Sequence, residues 1–157
     1  MDLQDPSKNS NSFREIERGP TFEIYHGAGC TNRLDWTRQG IVRTIMMGHA
    51  GVASAEAIIR RFEVVVRFTG RITALYDVWD LTGYDSDFRI ELTKWGTKNR
   101  STIDAIHATT RSKMVNMGLS VANLAMGGIL TPYGKRADFD AVAKRFGLPL
   151  NPSMPAL

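Results

Sequence analysis

Apolar residues recur along this chain with a period that changes several times, and each change marks an element. Over 52–68 the chain has neither glycine nor proline, and Ala55, Ile58, Ile59, Phe62, Val65 and Val66 are spaced for one helical face. Three short runs precede that helix. Residues 22–25 and 33–38 read as strands joined by a turn at His26, Gly27, Ala28 and Gly29, and 41–47 reads as a more apolar strand closed by the Gly48–Gly51 segment GHAG.

Beyond the helix the pattern alternates. Ile72, Ala74, Leu75, Tyr76, Val78 and Trp79 form a run with the β-branched and aromatic content of a buried strand, which stops at Asp80. Gly83 supplies a turn. Asp85, Ser86 and Asp87 then place acidic and hydroxyl groups where a helix start has unpaired N–H donors, and Phe88, Leu92 and Trp95 follow at helical spacing. Further elements are a strand over 102–108, a helix from Ser112 to Ala125, a short strand over 129–131 and a helix over 137–146. The helix from Ser112 puts Met114, Met117, Val121, Leu124 and Ala125 on or near one face, while Gly118 and Ala122 permit a close neighbour. The order predicts an α/β domain with a mixed sheet of four to six strands packed against about four helices. Residues 1–20, rich in Asn, Ser, Pro and charge, read as a flexible arm, 21–147 as the domain and 148–157 as a loose tail.

Composition narrows the function classes. At 157 residues and 43% hydrophobic content the chain suits one core. A net charge of +4 with scattered arginines lacks the gathered basic face of a nucleic-acid binder, and Arg60 and Arg61 read as a solvated helix edge. No stretch approaches the ~20 apolar residues of a membrane span, so a cytoplasmic protein without membrane insertion is expected. The single Cys30 cannot form an internal disulfide.

Catalytic chemistry is not visible. His26 and Cys30 are four apart but lack a second pair to complete a zinc site, and His49 and His107 have no motif partner. No nucleophile stands beside a base, and the glycines lack the lysine and hydroxyl of a phosphate loop. The chain is read as not an enzyme, with no cofactor and no metal.

The segments ITALYDVWDLTGYDSDFR over 72–89 and SKMVNMGLSVANLAMGG over 112–128, in this element order, resemble the STAS superfamily of sulfate transporters and anti-sigma-factor antagonists. The SpoIIAA-like group is the nearest likeness, over 22–146. That resemblance implies a bacterial signalling domain whose turn and helix, here 83–95, grip a kinase-like anti-sigma factor. Those antagonists carry two hydroxyl residues after the aspartate, and a kinase phosphorylates the second. The matching positions here are Asp85, Ser86 and Asp87, so a carboxylate replaces the switchable hydroxyl, and a large Phe88 stands where a small residue is usual. Asp87 offers one permanent charge and two oxygens against about −1.5 to −2 and three in a phosphoserine.

The resulting expectation is a non-enzymatic regulator that docks a protein partner through Gly83, Asp85, Ser86, Asp87, Arg89 and Lys94, with Ser86 as the possible phosphosite. Two alternatives stay open. One is a SEC14-like small-molecule or lipid carrier, with Met114, Met117 and Met126 lining an apolar pocket. The other is a structural oligomeric subunit, for instance a homodimer paired through apolar edge residues near Ile129.

Overall fold

Seven strands lie in one sheet in simple sequence order, in a computed structural model that describes residues 12–155. The antiparallel half comprises β1 (Arg14–Arg18), β2 (Phe22–Gly27), β3 (Cys30–Trp36) and β4 (Ile41–Ala50). From β4 onward the neighbours are parallel: β5 (Ile72–Tyr84), β6 (Ile103–Thr109) and β7 (Leu130–Tyr133). Each parallel step needs a crossover, which α1 (Val52–Thr69), α2 (Ser86–Lys98) and α3 (Lys113–Ala125) supply. A last helix, α4 (Arg136–Arg145), follows β7.

Two apolar clusters show how the layers divide. Val42, Met46, Ile58, Phe62, Ala74, Val78 and Ile106 belong to the larger, under the crossover helices. Ile41, Leu75, Phe139 and Val142 belong to the smaller, under α4. Adjacent strand residues such as Ala74 and Leu75 enter different clusters because successive side chains leave opposite faces of a strand.

The sheet exceeds the expected four to six strands because β1 lies in what reads as a flexible arm. All five β1 residues are exposed, so no burial pattern marks them. They are held by pairing with β2 and by Phe13, whose ring stacks on Tyr25 with centroids 5.5 Å apart. Residues 1–11 of that arm lie outside the described residues.

The tail expectation is also corrected. Leu148 is buried in the smaller cluster, the Pro149 carbonyl accepts from Arg43 Nη1 at 2.7 Å, and the Ser153 carbonyl accepts from Arg33 Nη1 at 3.1 Å. The segment is therefore strapped onto the sheet by two buried guanidinium groups.

Of the pair read as a solvated helix edge, Arg60 is exposed as expected and Arg61 is not. The Arg61 guanidinium lies 3.6 Å from the centre of the Trp36 ring and pairs with the buried Glu23 carboxylate at 2.9 Å, while Arg60 approaches the Tyr25 ring. Arg61, packed against Glu23 of β2 and Trp36 of β3, is satisfied by pairing and stacking rather than by water.

Candidate functional site

The β5–α2 junction begins later than the apolar run suggests. Asp80 is exposed and paired with Arg111 at 2.5 Å, yet Leu81 and Gly83 are buried while Thr82 is exposed. Period-two alternation continues through the aspartate, so β5 runs on to Tyr84 and Gly83 is a strand residue opposite His49.

This extension carries the turn to the end of β4. The Asp85 backbone N–H donates to the Ala50 carbonyl at 2.8 Å, and the Phe88 N–H donates to the Asp85 carbonyl at 3.0 Å. Asp85 occupies the N-cap position of α2, but its side chain makes no capping hydrogen bond. Its Oδ1 instead meets His49 Nε2 at 2.8 Å. Plain helix capping therefore does not account for the Asp85 carboxylate, which ties β4 to the turn. Ser86 and Asp87 follow, both exposed, with Asp87 in the first turn where a carboxylate complements the helix dipole.

Gly83, Asp85, Ser86 and Asp87 thus form one continuous feature, and Phe88 is core as its spacing indicates. Arg89 and Lys94 are placed differently. Arg89 is half-buried on the cavity described below, and Lys94 pairs with Glu91 at 3.6 Å, roughly 10 Å along the helix from Asp87.

A feature that the sequence reading misplaces lies beside this turn. The α3 stripe of Met114, Met117, Val121 and Leu124 faces solvent, with Met117 69% and Leu124 84% exposed. The buried residues of the helix are Val115 and Gly118. A side chain at Gly118 would meet the Tyr84 hydroxyl oxygen at 2.2 Å, so the missing Cβ is what lets the Tyr84 ring lie against α3. A side chain at Gly83 would meet His49 Nδ1 at 3.0 Å and the Met114 methyl at 4.0 Å, which puts the start of α3 beside the end of β5 that leads into the acidic turn.

Behind these helices lies an apolar cavity of about 80 Å³. Phe62, Tyr76, Leu92, Trp95, Ile106 and Met126 line it, among others, with Arg89 and Thr93 of α2 and Leu119 and Ala122 of α3 half-exposed around it. Of the three methionines considered for a pocket, only Met126 reaches it. Burial pushes the Tyr76 hydroxyl pKa well above its ordinary range.

The remaining candidates separate from one another. His26 Nδ1 lies 2.7 Å from Thr31 Oγ1, whereas Cys30 is buried against Ser54, with burial raising its thiol pKa. No group of three or more His, Cys, Asp or Glu placed to hold a metal occurs among the described residues.

His107 Nδ1 lies 2.8 Å from the Tyr133 hydroxyl, and burial, reinforced by the Arg145 charge, holds its pKa below the ordinary 6.5. The unfolded chain therefore binds the proton more readily. Stability should be full above pH about 6.5 and fall as pH drops from there through the lower folded value. Melting temperatures of wild type and His107→Gln between pH 7.5 and 5 check this, with the steeper loss expected in the wild type. Equal slopes would contradict it.

No protein-family model matches this chain, and no curated protein matches it. Among solved structures it is similar to an uncharacterized protein of the DUF3478 family with a SpoIIAA-like fold, from Shewanella loihica PV-4. The two share 15% identity over 81% of this chain and 98% of that chain, with a TM-score of 0.53. At that identity the likeness carries the fold alone: this chain has a SpoIIAA-like fold. No helix among the described residues is long and apolar enough to cross a membrane.

Proposed function

We propose that this domain is a non-enzymatic regulatory module that docks a protein partner through the 83–95 turn and helix, with the α3 stripe completing the surface. The observation that carries this reading is the exposure of Met114, Met117, Val121 and Leu124 along a helix whose Met114 lies beside Gly83, two residues before the turn bearing Asp85, Ser86 and Asp87. Exposed apolar side chains gathered on one helix and rimmed by charge are a feature of interaction surfaces, whereas scattered ones are ordinary.

The fitting partner presents an apolar patch flanked by basic groups, which the Asp85 and Asp87 carboxylates attract and orient. A kinase-like anti-sigma factor or a related regulator is the class that the fold suggests. Asp87 keeps a permanent charge at the position where antagonists switch theirs, so modification at the exposed Ser86 would add to an already acidic turn. A structural role through the β7 edge is less well supported, because Pro132 removes a backbone donor from that strand and blunts it against further pairing.

Affinity capture from the source organism tests the docking reading, with intact protein compared against Asp87→Arg and Leu124→Asp. Both substitutions are at exposed positions and should leave the circular dichroism spectrum unchanged. A partner retained by the intact protein and lost by both variants is expected. Recovery of the same proteins by all three forms would overturn the proposed surface.

A further inference from the structure

The exposed stripe of α3 carries an inference that shares this helix with the docking reading but does not rest on it. Met114, Met117, Val121 and Leu124 follow one another at intervals of three, four and three residues. That is the a/d spacing of a coiled-coil seam, in which each apolar residue packs against a facing helix. The four are between 49% and 84% exposed, so no element of their own fold fills that role. We propose that α3 pairs antiparallel with α3 of a second copy, about a two-fold axis at the middle of the seam.

The order of side chains favours this partner. Both methionines lie in the N-terminal half of the seam and both branched residues in the C-terminal half. An antiparallel copy therefore sets Met114 against the partner's Leu124 and Met117 against the partner's Val121, and the two-fold repeats each layer. Every layer joins a flexible thioether to a branched hydrocarbon, and the thioether adapts to the shape it meets.

Charge points the same way. Lys113 is the only charged residue of α3 and stands in its first turn, where the helix dipole disfavours a cation. The last turn of α3 has no basic residue. In the antiparallel pair each Lys113 comes beside the last turn of the other helix, and supplies the cation which that end lacks. Ser120 and Ala125, which flank the seam, are exposed, small and uncharged, so the helices approach closely without like charges facing each other.

The size of the strip sets the strength of the pair. The 13 residues of α3 span about 20 Å. At a width of about 10 Å the strip covers roughly 200 Å², against about 800 Å² per partner in a standard interface. The dimer is therefore weak and exchanges with the monomer, and while it lasts it hides the stripe from any other partner.

Sedimentation velocity of the purified protein over a range of concentrations tests this. A reversible shift from monomer to dimer is expected as the concentration rises. Leu124→Asp puts a carboxylate into two of the layers and should weaken association by about a hundredfold or more. Lys113→Glu should weaken it about tenfold. A carboxylate in the first turn of α3 stabilises that helix in the monomer, so this loss of dimer is not damage to the fold. Cross-linking reads the orientation: Met117→Cys mixed with Val121→Cys should form the mixed disulfide on mild oxidation in preference to either symmetric one. A protein that stays monomeric at every concentration, or a dimer that Leu124→Asp leaves intact, would overturn the proposal. An excess of symmetric over mixed disulfides would overturn the antiparallel pairing. A monomeric result leaves partner docking standing, since that surface is read by capture and by Asp87→Arg.

Discussion

Replacement of Asp35 by alanine is expected to destabilise the fold by about 3–5 kcal/mol, because it leaves two buried arginines without a counter-charge. Asp35 Oδ1 accepts from Arg33 Nη2 at 3.0 Å and Oδ2 accepts from Arg43 Nη2 at 3.1 Å. The side chains are 6%, 9% and 3% exposed respectively, so water cannot take the place of the carboxylate. The cluster is already one negative charge short, and Arg43 Nε has no hydrogen-bond partner among the described residues. The same guanidinium groups hold the Pro149 and Ser153 carbonyls, so the substitution should also loosen the C-terminal strap. For a chain of this length the loss corresponds to a fall in melting temperature on the order of 10 °C. Limited proteolysis should cut the tail first. A variant melting within two or three degrees of wild type, about 1 kcal/mol or less, would show that the arginines are compensated by something other than Asp35.

Gly48→Ala is the second large effect, and it bears on the functional surface. Gly48 has φ +89°, and a Cβ there would stand 2.1 Å from the Gly29 carbonyl oxygen. That oxygen is fixed, since it accepts the His49 backbone N–H at 3.0 Å. Gly29 provides the control: its φ is +77°, with nothing within 4 Å of a Cβ built on it. Gly29→Ala should therefore cost only the left-handed backbone penalty, about 1–2 kcal/mol. Gly48→Ala adds the displacement of backbone, a further 1–3 kcal/mol on the scale of overpacked cores. Denaturant unfolding of the two variants reads the difference directly. Because His49 follows Gly48 and holds Asp85, the substitution should also disturb the turn, and weaken partner capture beyond what the remaining folded fraction explains. Equal destabilisation by the two alanines would mean that the β2–β3 turn yields to the added methyl.

Both cases depend on contacts between different strands and turns, and the same division separates what was legible beforehand from what was not. Helices α1, α2 and α4 and strands β2, β4, β6 and β7 follow the local period of apolar residues, β5 does so as far as Trp79, and the α/β order follows from their alternation, whereas β3 buries Thr31, Asn32, Arg33 and Asp35 and has no such period. The acidic turn was legible because glycine, aspartate and serine stand together between a strand pattern and a helix pattern. The position of Phe88 in the core was legible from its spacing to Leu92 and Trp95.

Helix α3 has apolar residues around most of its circumference, so the spacing of Met114, Met117, Val121 and Leu124 picked out a face that is not the buried one. The choice fell to Tyr84, whose ring needs the space at Gly118 and turns Met117 and Leu124 outward. Strand β1 has no apolar alternation at all and exists through its hydrogen bonds to β2. The tail is held by carbonyl groups, which every sequence carries alike, and the His49–Asp85 contact joins residues 36 positions apart. The sequence by itself determined the elements from β2 onward and their order, since helix and strand periods are properties of neighbouring residues. Tertiary structure decided which α3 face is buried, where the tail lies, what Asp85 bonds to and that a cavity opens beside Arg89, since each depends on side chains that meet only after the sheet has assembled.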